Sequence, residues 1–328
     1  MNAQRVSSAV GILITLFTAA AFAQQEKPKT NSSASAPASV KPFLGRWDIT
    51  LKAPDREYPS WLEISLQGDQ LKAQMVGRWG NARSLPKVEL STGQLTFVSP
   101  KEEEASKEDL VFEGKVEGNH LVGTVNGPDG TQWTWIGERA PSLARSGTPR
   151  WGSPLPLFNG RDLSGWRPDK ENPSAAWRVE DGGLVSPGHG PELINDSKFG
   201  DFKLHIEFNC GKAANSGVYL RGRYELQVED NSIQEPPSHH TGGIYGFIAP
   251  SPEMPRHPGE WQSLDITLVG RTVTVVQNGR TIIDHQEIPG ITGGALDSHE
   301  GLPGPIYLQG SEDGHVIYRN IVLTPAKK

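Results

Sequence analysis

NSGVYLRGRYELQVEDN, residues 215–231, is the stretch that says most about the fold of this chain. In residues 218–221 and again in residues 225–229, apolar and polar side chains alternate with a period of two. That period is typical of a β-strand with one buried and one polar face. The stretch therefore predicts two neighbouring strands with an unusual concentration of charged and amide side chains on one face.

The connection between these two strands decides which side chains face each other. A three-residue connection, Gly222-Arg223-Tyr224, keeps all the apolar residues on one side of the hairpin. We therefore predict a register that aligns Arg221 with Glu225 and Tyr219 with Gln227. The result would be a functional patch of guanidinium, carboxylate, amide and phenol groups, or else an ordinary solvated face with an ion pair.

Composition favours an all-β protein of two domains. The 328 residues include 37 Gly, 26 Pro and 9 Trp, with few long helix-forming runs. Many short strands joined by tight turns have this composition. The formal net charge of -6, without a cluster of Lys and Arg, argues against nucleic acid as a partner.

The first 40 residues read as a targeting segment and a tether. Arg5 precedes an apolar run, residues 9–22, and a small-x-small site predicts signal-peptide cleavage after Ala23. The run is shorter than the roughly 20 residues of a membrane span, so no span is expected after cleavage. Residues 24–40 are rich in Ser, Ala and Pro and predict a disordered tether. Export without a disulfide, since Cys210 is the sole cysteine, predicts a periplasmic or secreted protein.

Two β regions follow the tether. Residues 41–139 contain serial hairpin signals and predict a small antiparallel, barrel-like domain, in which the charged run 101–108 is expected to be an exposed loop. Residues 140–156 are rich in Pro, Ser and Gly and predict a linker. Residues 157–328 are predicted to form the second β domain, with one-sided strands such as 202–209.

The second domain resembles a known family. The motifs that carry the resemblance occur in one order: LFNGRDLSGW (157–166), the stretch 215–231, GGIYG (242–246), PGEWQ (258–262), ITGGALDS (291–298), GPIYLQG (304–310) and YRNI (318–321). Together they resemble the 3-keto-disaccharide hydrolase domain, formerly a domain of unknown function, over about Leu157 to Pro325. The resemblance implies a concanavalin A-like jelly-roll β-sandwich. It departs from the family pattern at residues 310–315, which leaves His315 without an assigned role.

The resemblance also implies cleavage of glycosides whose C3 hydroxyl has been oxidised to a ketone. A C3 ketone acidifies the C2 hydrogen, so a base can remove it and the C1 substituent can leave by elimination, with or without later addition of water. Glu225 is the predicted base, and Arg221 with Gln227 or Gln309 the predicted donors to the enolate oxygen. If Arg221 paired tightly with Glu225, the pKa of Glu225 would fall, and His299 or Tyr245 is then the alternative proton carrier.

Further site residues are predicted from their side chains. The expected substrate-binding set is Tyr219, Gln227, Asp230, Tyr245, Trp261 and Gln309. A divalent metal ion held by Glu225 and Asp230 is an alternative electrophile, although no tight ligand spacing supports it. A two-carboxylate glycosidase mechanism through Glu225 and either Asp230 or Glu300 is also open. His239 and His240 are expected in an exposed loop.

A second function class remains open from sequence alone. Sandwiches of this kind can bind carbohydrate without transforming it, and the fold does not separate the two possibilities. The alternative hypothesis is therefore a non-catalytic carbohydrate-binding module.

Overall fold

The computed structural model describes residues 37–170, 176–230, 235–255 and 257–327. The predicted signal peptide, and the predicted tether up to residue 36, lie outside these ranges. Within them, no helix has the length and apolar character that crossing a membrane requires.

Nine antiparallel strands form the N-terminal sheet, which we call the barrel. They are β1 (Gly45–Lys52), β2 (Glu57–Gln67), β3 (Gln70–Val76), β4 (Arg83–Ser84), β5 (Lys87–Ser91), β6 (Gln94–Ser99), β7 (Leu110–Glu117), β8 (His120–Asn126) and β9 (Gln132–Arg139). Their order, β4-β3-β2-β1-β9-β8-β7-β6-β5, joins the first strand to the last, which curls the sheet around one apolar core. The predicted barrel-like architecture is confirmed.

The remaining strands form two sheets. They are β10 (Leu155–Pro156), β11 (Trp166–Pro168), β12 (Arg178–Glu180), β13 (Gly183–Ser186), β14 (Leu193–Asn195), β15 (Phe202–Cys210), β16 (Asn215–Leu220), β17 (Tyr224–Glu229), β18 (Trp261–Val269), β19 (Thr272–Gln277), β20 (Arg280–Glu287), β21 (Tyr307–Leu308) and β22 (Val316–Pro325). The front sheet has the order β11-β14-β21-β16-β17. The back sheet has the order β12-β13-β22-β15-β18-β19-β20, and β10 pairs with β22.

Apolar side chains from both sheets meet in one core. Phe202 and Phe208 from the back sheet lie in it with Val218, Leu226 and Leu308 from the front sheet. All five are fully buried. The chain is therefore all-β with a two-layer sandwich, as predicted, and the front sheet presents its other face away from this core.

The hairpin at residues 215–231 forms, but its predicted register is wrong by two residues. Tyr219 lies opposite Glu225, and Leu220 opposite Tyr224, so the connection is Arg221-Gly222-Arg223. Arg221 and Gly222 take left-handed φ values of 55° and 67°, a turn geometry that matches the twist of paired strands. The three-residue length is as predicted, so the two faces are correct although the partners are not.

The charged run 101–108 is also not simply an exposed loop. Residues Lys101–Glu104 form a short helix, α1, and Glu104 is only 1% exposed. Its carboxylate accepts hydrogen bonds from Arg83 Nη2 at 2.6 Å and from Ser99 Oγ at 2.7 Å. Arg78 also binds it, at 3.4 Å. A buried carboxylate is tolerated here because two guanidinium groups compensate it.

The barrel packs directly against the sandwich. Trp61 in β2 is fully buried within the sandwich core and meets Phe247 edge-to-face at 5.3 Å. Beside it, Asp48 in β1 is 4% exposed and lies near Glu300 and Arg271 of the sandwich. Burial, followed by repulsion from Glu300, raises the pKa of Asp48 to about 8. Burial and the nearby Glu300 carboxylate therefore favour the neutral form of Asp48 at this junction.

Asp48 predicts how stability depends on pH. An acid whose pKa is higher in the folded chain binds its proton more tightly there, so the stability it contributes is complete below about pH 4 and is lost as the pH rises through about 8. We expect the Tm of the wild type to fall between pH 6 and pH 9 more steeply than that of Asp48→Asn. The difference should be on the order of 2 kcal/mol of unfolding free energy. Parallel curves in calorimetry would contradict this assignment.

Candidate active site

Two buried tyrosines stack side by side on the polar face of the front sheet. Tyr219 in β16 and Tyr307 in β21 occupy paired positions, and their ring centroids lie 4.2 Å apart at an interplanar angle of 15°. Strand alternation directs both rings away from the core, because Val218 and Leu308 beside them point into it. The two phenol groups are thus held in a fixed arrangement.

Each tyrosine hydroxyl binds its own carboxyl group. Tyr219 Oη lies 2.8 Å from Glu225 Oε2, and Tyr307 hydrogen-bonds Glu192. Glu192 also accepts a hydrogen bond from the Gly310 backbone N–H at 2.8 Å. The front sheet therefore carries two Tyr–Glu pairs, one of which uses a carboxylate that precedes β14 and was not predicted from the sequence.

The hydrogen bonds around Tyr219 favour a protonated Glu225. Tyr219 Oη lies 2.8 Å from Glu225 and 2.8 Å from the Gly293 carbonyl oxygen, but a hydroxyl has one proton. Because a carbonyl oxygen only accepts, both contacts are satisfied when Tyr219 donates to Gly293 and the Glu225 carboxyl donates to Tyr219. If Glu225 ionises, one of the two acceptors loses its partner.

The pKa values of the two carboxyl groups agree with this picture. Burial raises the pKa of Glu225 to about 8; the hydrogen bond with Tyr219 opposes this shift, and repulsion from Glu192, Glu312 and Glu229 adds to it. Burial likewise raises the pKa of Glu192 to about 7, with the Gly310 N–H opposing the shift. Carboxyl groups that titrate near neutral pH are suited to proton transfer, and such perturbed groups cluster at functional sites.

The Glu225 main chain is anchored by two loops. Its N–H donates to Thr292 Oγ1 at 2.9 Å, and its carbonyl oxygen accepts from the Tyr245 N–H at 3.1 Å. Across the hairpin, Gly217 leaves room for the carboxyl group, since a Cβ there would lie 2.5 Å from Glu225 Oε1. Contacts with Thr292, Tyr245 and Gly217 therefore fix the position of Glu225.

Amide groups around the two pairs have free acceptors. Gln227 Oε1 and Gln309 Oε1 are buried and have no hydrogen-bond partner among the described residues. Buried polar atoms are normally paired, so unpaired ones next to perturbed carboxyl groups are expected to meet a ligand. Gln309 and Tyr245 are partly exposed, as are Asn215 and Glu229, which marks where this face reaches solvent.

The predicted site residues are only partly brought together. Tyr219, Glu225, Gln227, Tyr245 and Gln309 do lie around one face of the front sheet. The roles assigned to them from the sequence stay predictions.

Arg221 does not join them. Its guanidinium is buried on the other side, where it donates to Tyr224 Oη and to the Gly270 carbonyl oxygen, both at 2.9 Å. The expected pairing of Arg221 with Glu225 is therefore wrong, because the observed register sets Tyr219 opposite Glu225. Arg221 is not placed to hold an enolate on the polar face, and it does not lower the pKa of Glu225.

Three other predicted residues lie elsewhere. Trp261 starts β18 in the back sheet, where Arg319 stacks on its ring at 3.7 Å. His299 lines a separate cavity of about 350 Å³ together with Thr50 and Lys52 of the barrel. Asp230 follows the end of β17 and accepts a hydrogen bond from the Ala213 N–H at 2.9 Å. None of the three is assembled with Glu225.

These positions also bear on the two alternative mechanisms, a bound metal ion and a two-carboxylate glycosidase. Each of them requires a second acidic residue close to Glu225. Five residues of extended chain separate Glu225 from Asp230 by about 16 Å, too far to share a metal ion. Glu300 is fully buried and accepts a hydrogen bond from Tyr224, whose side chain points to the opposite face from Glu225. Among the described residues, no group of three or more His, Cys, Asp or Glu side chains is arranged to hold a metal.

Sequence reasoning missed Glu192, Tyr307 and His239. Tyr307 lies inside the GPIYLQG motif, and its position next to core residues was a usable signal. Glu192 immediately precedes a short apolar strand, which is too common a pattern to single it out. His239 is not in an exposed loop: it ends a 3-10 helix, Pro237–His239, is 8% exposed and stacks on Tyr245 at 4.2 Å.

Fold and site together define a β-sandwich protein with two buried carboxyl groups of raised pKa on one sheet. Residues 153–324 match the 3-keto-alpha-glucoside-1,2-lyase-like domain, and the chain belongs to this family. The barrel lies outside the matched residues. The family assignment inferred from the sequence motifs is confirmed.

The individual relatives have low sequence identity to this chain, from 10% to 28%. A 3-keto-disaccharide hydrolase of Bacteroides thetaiotaomicron is 24% identical over 167 residues, which cover 40% of this chain and 58% of the relative. A crystal structure from Parabacteroides distasonis, provisionally described as a glycosyl hydrolase, is 28% identical, covers 56% of this chain and 96% of its own, and has a TM-score of 0.45. A Bacillus licheniformis beta-glucanase is 10% identical, covers 56% of this chain and 100% of its own, and has a TM-score of 0.33.

Proposed function

We propose that this protein is an exported enzyme that cleaves 3-keto-glycosides at C1 by removing the C2 proton. The observation that carries the proposal is the pair of buried carboxyl groups, Glu192 and Glu225, whose pKa values of about 7 and about 8 lie close to neutral pH. Family membership supports the substrate class. The N-terminal sequence, with an apolar run before Ala23, supports export to the periplasm or beyond.

The first step is loss of the C2 proton. The electrons of the C2–H bond form a C2=C3 double bond, and negative charge collects on the former ketone oxygen. At neutral pH Glu192 is the more ionised of the two groups, so we assign it as the base. The sequence instead predicts Glu225 as the base. That assignment stays a competing prediction.

The second step breaks the bond from C1 to the leaving oxygen. The enolate electrons re-form the C3 ketone while a C1=C2 double bond appears, and the leaving oxygen takes a proton. Glu225 is the acid in this assignment, because its hydrogen bond to Tyr219 is satisfied in the protonated form. Addition of water to C1 would complete a net hydrolysis. Gln227 and Gln309 would accept hydrogen bonds from sugar hydroxyls.

The test is release of p-nitrophenol from p-nitrophenyl 3-keto-glucosides of both anomeric forms, with and without an added divalent cation. The matched control is the same glucoside without the ketone. We expect the oxidised compound alone to react, and deuterium at C2 to slow the reaction. Cleavage of the unoxidised compound at a similar rate would instead indicate a two-carboxylate glycosidase.

A non-catalytic carbohydrate-binding module remains the competing function. It predicts that 3-keto-glucosides bind without turnover. Two carboxyl groups held near neutral pKa in a buried site favour the enzyme, since simple sugar binding does not need them.

A further inference from the structure

The barrel touches the sandwich beside the acid–base pair. Residues 79–82 of the barrel lie against two sandwich loops, because a Cβ on Gly293 would be 2.7 Å from the Gly80 nitrogen and 3.0 Å from the Trp79 carbonyl carbon. A Cβ on Gly246 would be 2.6 Å from Asn81 Cβ. Such close approach is possible only because both positions are glycine.

These two loops are the ones that position Glu225. Gly293 supplies the carbonyl oxygen that binds Tyr219 at 2.8 Å, and its neighbour Thr292 binds the Glu225 N–H at 2.9 Å. Gly246 follows Tyr245, whose N–H binds the Glu225 carbonyl oxygen at 3.1 Å. The barrel segment therefore bridges both sides of the Glu225 support.

The segment is anchored at its two ends by ion pairs. Arg78 and Arg83 both bind the buried Glu104, Arg78 at 3.4 Å and Arg83 at 2.6 Å. Between them, Trp79 is held with its ring 3.8 Å from the Arg78 guanidinium, yet it remains 40% exposed. A tryptophan that is partly exposed, in a segment whose backbone touches the Gly293 loop, is suited to stacking on the apolar face of a pyranose ring.

We propose that Trp79 is the stacking platform for the leaving sugar of a 3-keto-disaccharide, so that the barrel supplies the leaving-group subsite of the enzyme. This inference rests on the proposed function and gives the barrel a role in it. A substrate whose leaving group is methanol would not reach the platform. A substrate whose leaving group is a second glucose would.

The test compares two substrates in three variants. For Trp79→Ala, we expect KM for a 3-keto-disaccharide to rise about 10-fold, while kcat/KM for methyl 3-keto-glucoside changes less than about 2-fold. Trp79→Phe should restore most of the affinity. Trp261→Ala is the matched control, since Trp261 is 38% exposed and also stacks on an arginine but lies in the back sheet. It should leave both substrates unaffected.

The outcomes separate the two proposals. If the wild type cleaves neither substrate, the proposed function is wrong and this inference falls with it. If the wild type cleaves both and Trp79→Ala changes both equally, or neither, the proposed function stands and the platform assignment is wrong. Thermal unfolding of each variant shows whether an equal loss on both substrates comes from damaged folding.

Discussion

Glu225→Gln is expected to lower kcat/KM for methyl 3-keto-glucoside, whose alkoxide leaving group requires a proton, by about 1000-fold or more, with little change in Tm near pH 6. The amide can still donate a hydrogen bond to Tyr219 Oη, 2.8 Å from the carboxyl oxygen in the wild type, but it cannot transfer a proton. Since the wild-type carboxyl is neutral near pH 6, the substitution preserves the buried charge state. The loss would therefore report on chemistry and not on folding.

The pH profile tests which role Glu225 has. If it is the acid, activity in the wild type falls as the pH rises through about 8, and this alkaline limb is absent from the residual activity of Glu225→Gln. If it is the base, activity rises through about pH 8 instead. Glu207→Gln, on the outer face of the back sheet, is a matched control that should retain full activity. Retained activity in Glu225→Gln would remove Glu225 from the mechanism.

Glu192→Gln is expected to lower kcat/KM by about 100-fold and to remove the acidic limb of the profile. In the wild type, activity should rise as Glu192 ionises through about pH 7. Without the Glu192 charge, one source of repulsion on Glu225 is lost, so the pKa of Glu225 should fall and the alkaline limb should move to lower pH. Measurement of kcat/KM from pH 5 to pH 10 gives both limbs.

A Tyr307 variant provides a control for the prediction about Glu192. Tyr307→Phe removes the hydroxyl that hydrogen-bonds Glu192 but keeps the ring stacked on Tyr219. Because that hydrogen bond stabilises the ionised carboxylate, the acidic limb should move to higher pH while much of the activity remains. An unchanged profile in both Glu192→Gln and Tyr307→Phe would show that Glu192 takes no part.

The local sequence pattern predicts which residues lie on each face of the hairpin at residues 215–231. It does not predict which residues pair across the hairpin. Alternation with period two places Glu225 and Gln227 on the polar face whichever of two registers forms, since a shift of two residues preserves the faces. The register itself depends on Tyr224, which is fully buried and hydrogen-bonds Glu300 at 2.6 Å. That partner is distant in sequence, so the hairpin alone does not reveal it.

The second carboxyl group illustrates the same limit. Glu192 joins Glu225 because β14, β21 and β16 are neighbours in the front sheet, although they are not consecutive in the chain. Likewise, the barrel segment that carries Trp79 lies against the loops at Gly246 and Gly293 only because the barrel docks on the sandwich. No periodicity within either segment records these contacts.

Sequence by itself determined the all-β class, the barrel-like and sandwich regions, the family and the polar face that includes Glu225, because alternation and turn chemistry are local properties of the chain. Tertiary structure alone decided the register, the pairing of Glu225 with Tyr219 and Glu192, and the exclusion of Arg221, Trp261 and His299 from that site. The physical reason is that a pKa depends on burial and on charges brought together from distant segments, and neither is a property of any short stretch of residues.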